Sequence, residues 1–417
     1  MIPSLLEIYV VAHPEDDPEP KSGIAETFLR HFHGNSFDGL LDGAIEVYRR
    51  TEGWRDAADA PRPIPLPGSP PAEGTAPAAF AAVVPIIGNG LAAAVEGGSG
   101  PWHDYLGAIA SAATGSRNIV CFPMEIDPGA AGGTVAGRIF GRFQQIGRPD
   151  PLAEAEPADE LRCRDLAQGL AQFLRRDPEP RRLTVFISHT KHADGGREEL
   201  AELIAALRRT IVTTTRLGEF FDSRDLQVGE DWAADLIEKA AGGALLALRT
   251  DLYATREWCQ REMLIAKRAG AAIVTIDALQ SGEARGSFLL DHTPRLPIRH
   301  DLDHGWCVAD IHHALNLLVD ECLKRTLWRR QEELVRQAGG WDIDWWAPHA
   351  PEAVTLVEYL SQPDSRASSS SSPLRVIHPD PPLGPEERSV LDSIAKLAGH
   401  VYGIEMLTPR TLAARGA

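Results

Sequence analysis

The chain has 417 residues, and 43% of them are hydrophobic, which is enough to bury more than one core. At roughly 150 residues per domain, this length predicts two or three domains. The 59 acidic residues outnumber the 42 basic ones and give a formal net charge of −17, so we predict no direct nucleic-acid partner. The five cysteines form no CxxC pair, and no apolar run approaches the roughly 18 residues that cross a bilayer. We therefore predict a cytoplasmic protein without membrane contact.

Strand-like and helix-like segments alternate in the first third of the chain. Apolar runs of strand length are separated by stretches in which the apolar residues have helical spacing. This alternation predicts an α/β domain with a parallel sheet over residues 1–146, and a connector with one helix over 147–180 follows it. The predicted strands are 5–13, 78–87 and 117–126, and the predicted helices are 23–34, 102–115 and 161–176.

The alternation begins again, more clearly, over residues 181–339, where it predicts a second α/β domain. A Trp-rich segment and a Ser-rich linker follow over 340–373, and a strand–turn–helix tail is predicted over 374–417. In the second domain the predicted strands are 182–190, 216–223, 244–250 and 271–279, and the predicted helices are 196–211, 230–243, 256–270 and 310–339.

Several short motifs occur in a fixed order within residues 183–277. They are VFISHT, FFDSRDLQVGEDW, LLALRT, WCQRE and AIVTID. This order resembles the TIR (Toll/interleukin-1 receptor) domain, and WCQRE, from Trp258 to Glu262, matches the WxxxE signature of TIR domains that hydrolyse NAD. The resemblance implies a flavodoxin-like parallel sheet for 181–339. The domain over 1–146 is either a degenerate TIR-like unit, which has Leu106 where the signature needs an acid, or an unrelated α/β domain.

Polar and aromatic residues follow the predicted strands of the second domain, at the edge where a parallel sheet binds ligands. Trp258 and Glu262 are four residues apart on a predicted helix, so they share one face and can present an indole beside a carboxylate. Lys191 offers a positive charge for phosphate, and Gly229 allows a tight turn. The predicted substrate-binding residues are Trp258, Ser188, His189, Lys191, Asp222, Leu226, Gly229 and Trp232.

Glu262 is the predicted catalytic residue. Cleavage of a nicotinamide–ribose bond passes through an oxocarbenium-like species, which a carboxylate beneath the sugar can stabilise or attack as a nucleophile. Nicotinamide leaves NAD+ as a neutral molecule, so no general acid is obligatory and one carboxylate can suffice. The competing interpretation places Glu262 on an exposed helix, paired with Arg261, Lys267 or solvent.

The resemblance implies an NAD+ nucleosidase that releases nicotinamide and either ADP-ribose or a cyclic form. NAD+ would be the substrate, and no resident cofactor is expected. The resemblance also implies activation by self-association through the TIR domain, an upstream sensor or nucleotide signal, and a role in bacterial antiviral defence. The alternative is a non-enzymatic TIR scaffold, which does not need Glu262 beside Trp258.

The motif AHPEDDP at Ala12–Pro18 offers a metal-binding alternative. It follows a predicted strand and looks like the AHPDDE start of zinc-dependent deacetylases of the LmbE type, where His and Asp bind the metal. Further ligands would come from His300, Asp301 and His304. The residue order differs from that family and its glycine-rich continuation is missing, so we predict a solvated acidic loop and no metal.

Overall fold

The computed structural model shows an α/β protein with parallel sheets. The contacts between residues divide the chain into two compact units. Unit 1 comprises residues 1–38 and 42–173, and unit 2 comprises residues 39–41 and 174–417. Among the described residues, no helix is both long and apolar enough to cross a membrane. The structure describes residues 4–17, 23–34, 37, 40, 44–56, 59–68, 77–147, 158–176, 182–190, 200–214, 217, 243–301, 305–339, 341–362 and 372–414.

Unit 1 contains a parallel sheet whose strands are β1 (Leu6–Val11), β2 (Ile45–Arg50), β3 (Phe80–Ile87), β4 (Ile119–Cys121) and β5 (Met124–Glu125). The order is β2-β1-β3-β4, with β5 also paired to β3, which is compatible with a flavodoxin-like fold. Every residue of β1 and β3 is buried, as expected for strands that are covered on both faces. The helices are α1 (Ile24–Phe32), α2 (Asn89–Val95), α3 (Pro101–Gly115), α4 (Val135–Phe140) and α5 (Ala158–Arg175), the last of which crosses the unit boundary.

Unit 2 contains a second parallel sheet, with strands β6 (Val185–Ser188), β7 (Ala244–Arg249), β8 (Ala272–Asp277) and β9 (Arg295–Pro297) in the order β6-β7-β8-β9. A short antiparallel hairpin follows, formed by β10 (His300–Asp301) and β11 (Gly305–Trp306). The helices are α6 (Ala201–Thr214), α7 (Glu257–Arg268) and α8 (Val308–Ala338). Gly270 and Gly339 follow α7 and α8 with φ of 62° and 67°, a left-handed conformation that glycine adopts without strain.

Helix α7 packs on this sheet through an apolar face. Met263, Ala266 and Cys259 of α7 form a buried cluster with Phe186 of β6 and Leu245 of β7. These contacts fix the helix against the sheet and thereby fix the positions of the polar residues that α7 carries. The predicted strand 216–223 and the predicted helix 230–243 lie outside the described residues, apart from Leu217 and Gly243.

The C-terminal α/β segment, residues 341–414, forms a third parallel sheet within unit 2. Its strands are β12 (Trp345–Trp346), β13 (Leu374–Ile377) and β14 (Ile404–Leu407), in that order. The helices are α9 (Ala353–Leu360), α10 (Pro385–Leu397) and α11 (Pro409–Ala413). The ring of Trp346 lies 5.3 Å from that of Trp328 on α8, so the Trp-rich segment contributes a strand that packs on the long helix.

His349, which follows β12, makes the stability of this segment sensitive to pH. Burial lowers the pKa of His349 to about 3, with Arg325 adding to the effect. In the unfolded chain this imidazole binds a proton below its ordinary pKa of about 6.5, whereas in the folded chain it stays neutral down to about pH 3. The unfolded state therefore binds more protons between these two pH values, and the free energy of unfolding falls as pH falls through this window. We expect His349→Gln to reduce the loss of stability between about pH 7 and about pH 5, measured by urea unfolding. An equal loss in both proteins would contradict this assignment.

Candidate functional site

Glu262 lies inside the second unit, on the buried face of α7. Its residue is 4% exposed, and its Oε2 accepts a hydrogen bond of 2.5 Å from Ser188 Oγ. Ser188 is the last residue of β6 and is fully buried, so the carboxylate lies at the carboxyl end of a parallel strand. A buried carboxylate is rare unless it is paired or hydrogen-bonded, and a charge-assisted bond of this length meets that need.

Tyr253 extends this contact into a chain of hydrogen bonds. It lies in a short 3-10 helix that follows β7, and its hydroxyl is 2.7 Å from Ser188 Oγ. Ser188 has one hydroxyl proton and donates it to Glu262, so Tyr253 must be the donor to Ser188. Burial raises the pKa of Tyr253 well above its ordinary value, which keeps the phenol protonated for this role. The order of donation is therefore Tyr253 to Ser188 to Glu262.

Neighbouring polar groups join the ends of β6 and β7. Thr190 Oγ1 lies 3.1 Å from Thr250 Oγ1, and the thiol of Cys259 on α7 donates to the carbonyl oxygen of His189 at 3.5 Å. Burial raises the pKa of Cys259 to about 12, with the charge of Glu262 as a further cause, so this side chain is a thiol at neutral pH. His189 Nδ1 lies 3.2 Å from the carbonyl oxygen of Thr190. These contacts make the strand ends around Ser188 a closely packed polar layer.

Trp258 lies one turn before Glu262, but it is exposed to solvent whereas Glu262 is buried. Trp258 is 42% exposed, and the Arg261 guanidinium lies 5.2 Å from the ring centroid. Arg261 in turn pairs with Glu257 at 3.4 Å, and Lys267 pairs with Glu352 at 2.5 Å. The buried position of Glu262 and these ion pairs do not match the interpretation in which Glu262 sits on an exposed face beside Arg261 or Lys267.

Arg249 organises the adjacent part of the same sheet edge. It binds Glu283 through Nε and Nη2 at 3.0 and 2.6 Å, and Asp277 through Nη1 at 3.0 Å. Asp251 accepts hydrogen bonds from the backbone N–H groups of residues 280–282. The loop after β8 is thus held by two side chains from the end of β7, and the charge of Arg249 is already offset by two carboxylates.

The structure brings together three of the predicted site residues, namely Glu262, Ser188 and His189, and it places Trp258 at the surface of the same helix. Five other predicted residues lie outside the described part of the chain: Lys191, Asp222, Leu226, Gly229 and Trp232. Tyr253 was not among the predicted site residues, although it follows a predicted strand at the edge where ligands bind. That position was the available signal for it.

The motif at Ala12–Pro18 has a structural role in unit 1. Asp16 accepts hydrogen bonds of 2.7 Å from the backbone nitrogens of Gly90 and Leu91, and Asp17 is buried beside Arg49. The expected solvated loop is therefore wrong for these two carboxylates, because the first turn of α2 and an arginine bind them. Among the described residues, no group of three or more His, Cys, Asp or Glu side chains could hold a metal ion.

Comparisons with known proteins supply no family for this chain. A scan against protein-family models finds no match, and a search of curated proteins finds none.

Proposed function

We propose that the chain is a TIR-like NAD+ nucleosidase in which Glu262 is the catalytic carboxylate. The observation that supports this most is the buried carboxylate of Glu262, held by Ser188 at the carboxyl end of a parallel sheet. Ligands bind at this edge in open α/β sheets, and a carboxylate in a low-dielectric site acts strongly on nearby charge. NAD+ is the proposed substrate, and no resident cofactor is needed.

The proposed reaction uses the charge of Glu262 during cleavage of the nicotinamide–ribose bond. The bonding electrons leave with nicotinamide, which becomes neutral, and positive charge develops on the ribose, where the carboxylate stabilises it. Attack by water on the ribose carbon, with loss of a proton, yields ADP-ribose. Attack by a nucleophile within the ADP-ribosyl group instead yields a cyclic product. Ser188 fixes one carboxylate oxygen, and Tyr253 fixes Ser188.

The burial of Glu262 supports the proposal that the protein does not cleave NAD+ until it is activated. At 4% exposure, its carboxylate reaches a sugar only after neighbouring groups move. We propose that self-association through the TIR-like region produces this movement, in response to an upstream sensor or a nucleotide signal. Such control suits a cytoplasmic enzyme of bacterial antiviral defence, because uncontrolled loss of NAD+ would harm the cell itself.

The direct experiment is to incubate the purified full chain with NAD+ over a wide range of protein concentrations. Products are separated chromatographically, which distinguishes nicotinamide, ADP-ribose and a cyclic form. We expect nicotinamide release to rise more steeply than protein concentration. Absence of nicotinamide at every concentration, with the protein folded and associated, would contradict the proposed activity.

A non-enzymatic TIR-like scaffold is the second candidate. It is favoured by the same low exposure of Glu262, since a carboxylate that only stabilises the core would also be bound by Ser188 and covered. The exposed pair of Trp258 and Arg261 would then serve as a protein-binding surface. A scaffold associates with itself without releasing nicotinamide, so the incubation experiment separates the two candidates.

The hydroxyl of Ser188 is expected to contribute to catalysis through Glu262. Ser188→Ala removes the bond of 2.5 Å to the carboxylate, and a hydrogen bond to a charged group is worth about 1.5–3 kcal/mol. We expect kcat for NAD+ cleavage to fall about 10- to 100-fold, since each 1.4 kcal/mol is about tenfold. Ser393→Ala, which removes an exposed hydroxyl from α10, is the matched control and should leave kcat unchanged. Equal kcat in the Ser188 variant and the wild type would show that this bond does not hold a catalytic group.

A further inference from the structure

A buried ion pair joins helix α7, which carries Glu262, to helix α9 of the C-terminal α/β segment. Lys267 Nζ lies 2.5 Å from Glu352 Oε1 and 2.7 Å from Oε2, and it donates to the carbonyl oxygen of Asp291 at 2.8 Å. These three contacts match the three protons of the ammonium group. The side chains of Lys267 and Glu352 are 2% and 8% exposed, so solvent screens their attraction little.

Glu352 is also the N-terminal cap of α9. The Thr355 hydroxyl lies 3.2 Å from the backbone nitrogen of Glu352 and donates to its carbonyl oxygen at 3.3 Å. The carboxylate that binds Lys267 therefore belongs to the residue at which α9 begins, and the backbone of that residue is bound to the first turn of the helix. A shift of α9 would move the partner of Lys267.

Helix α7 is consequently held by buried polar contacts at two points. Ser188 binds Glu262, and Glu352 binds Lys267 five residues further along the helix. At 1.5 Å per residue the two points are about 7.5 Å apart along the axis. Because a closely packed helix transmits displacement along its length, we expect movement at Lys267 to change where Glu262 lies relative to Ser188.

We propose that Lys267 and Glu352 are positioning residues that hold Glu262 in place, so that docking of the C-terminal α/β segment sets the rate of NAD+ cleavage. This proposal rests on the proposed function. Two other contacts join the segment to the rest of unit 2, since Arg325 Nη1 donates to the carbonyl oxygen of Pro348 at 2.8 Å and His292 Nε2 lies 3.2 Å from Glu387 Oε1. A ligand that displaces α9 would act on Glu262 through Lys267.

The kinetic test uses the full chain with Glu352→Gln, which keeps the size of the side chain and removes its charge. We expect kcat to fall about 10- to 100-fold with KM within about twofold, because a small misplacement of a catalytic group affects the reaction more than binding. The matched control is Glu358→Gln, which removes the exposed Arg268–Glu358 pair of 3.1 Å between the same two helices. Wild-type kcat in Glu352→Gln, or an equal loss in Glu358→Gln, would overturn the proposal.

A double variant separates positioning from stability. Lys267→Met combined with Glu352→Gln leaves no uncompensated buried charge, so its thermal midpoint should return toward the wild-type value. If the pair positions Glu262, kcat stays low in this stable double variant. If the pair has only a structural role, kcat returns together with stability, and the proposal is overturned.

Hydrogen exchange provides a measurement that does not depend on catalysis. Glu352→Gln should accelerate amide exchange in α7 and in the peptide that contains Ser188, whereas Glu358→Gln should leave both unchanged. Exchange that increases only in α9 would overturn the coupling, even if NAD+ is cleaved. If the wild-type protein releases no nicotinamide, the proposed function fails on its own, and the exchange result still decides whether Lys267 and Glu352 couple the segment to Glu262.

Discussion

Replacement of Glu262 by glutamine is expected to reduce kcat for NAD+ cleavage by about 10²–10³-fold. Glutamine has nearly the same shape and still offers an oxygen to the hydroxyl of Ser188, so the packing around α7 should be preserved. The amide has no negative charge, and it therefore cannot stabilise the positive charge that develops on the ribose. The measurement is the rate of nicotinamide release by the full chain at saturating NAD+.

The matched control for this variant is Glu202→Gln on α6. Glu202 is an exposed residue of the same unit, so its substitution makes the same chemical change outside the site. We expect Glu202→Gln to retain wild-type kcat. Thermal unfolding of both variants checks that each is folded. A folded Glu262→Gln protein with wild-type kcat would remove Glu262 from the mechanism and leave the scaffold as the better candidate.

The second large effect is expected on stability, from Lys267→Met. This change leaves the carboxylate of Glu352 buried without the ammonium group that lies 2.5 Å from it. Burial raises the pKa of Glu352 and lowers that of Lys267, and each residue opposes this effect of burial on the pKa of the other. Removal of one partner of a buried pair costs about 3–5 kcal/mol of the free energy of unfolding, measured here by urea unfolding at neutral pH.

The exposed neighbour provides the comparison for this effect. Arg268→Met breaks the ion pair between Arg268 and Glu358, whose side chains are 51% and 41% exposed respectively. Such exposed pairs contribute about 0–1 kcal/mol to the free energy of unfolding. A similar small cost for Lys267→Met would show that the buried charge of Glu352 finds another partner or takes up a proton. A large cost would confirm that this buried pair stabilises the contact between the C-terminal α/β segment and α7.

Buried parallel strands were the elements that the sequence predicted best. Strands β1, β3, β7 and β8 fall within the predicted apolar runs, because a strand covered on both faces is apolar at almost every position. Helices α7 and α8 end at Arg268 and Ala338, close to the predicted ends at 270 and 339. Strand β2, with the sequence IEVYRR, was not predicted, since it lies at the end of the sheet order and carries polar residues. Strand β12, of two residues, is too short to show any period.

The sequence by itself determined the α/β class, the buried strands and the spacing of Trp258 and Glu262 on one helix. Only the tertiary structure decided which charged residues of α7 are buried, because helical periodicity describes a face and does not tell what covers it. Glu262 meets Ser188 across 74 residues of chain, and Lys267 meets Glu352 across 85. Such partners are chosen by the packing of α7 against β6 and α9, where an unpaired charge would be too costly to bury.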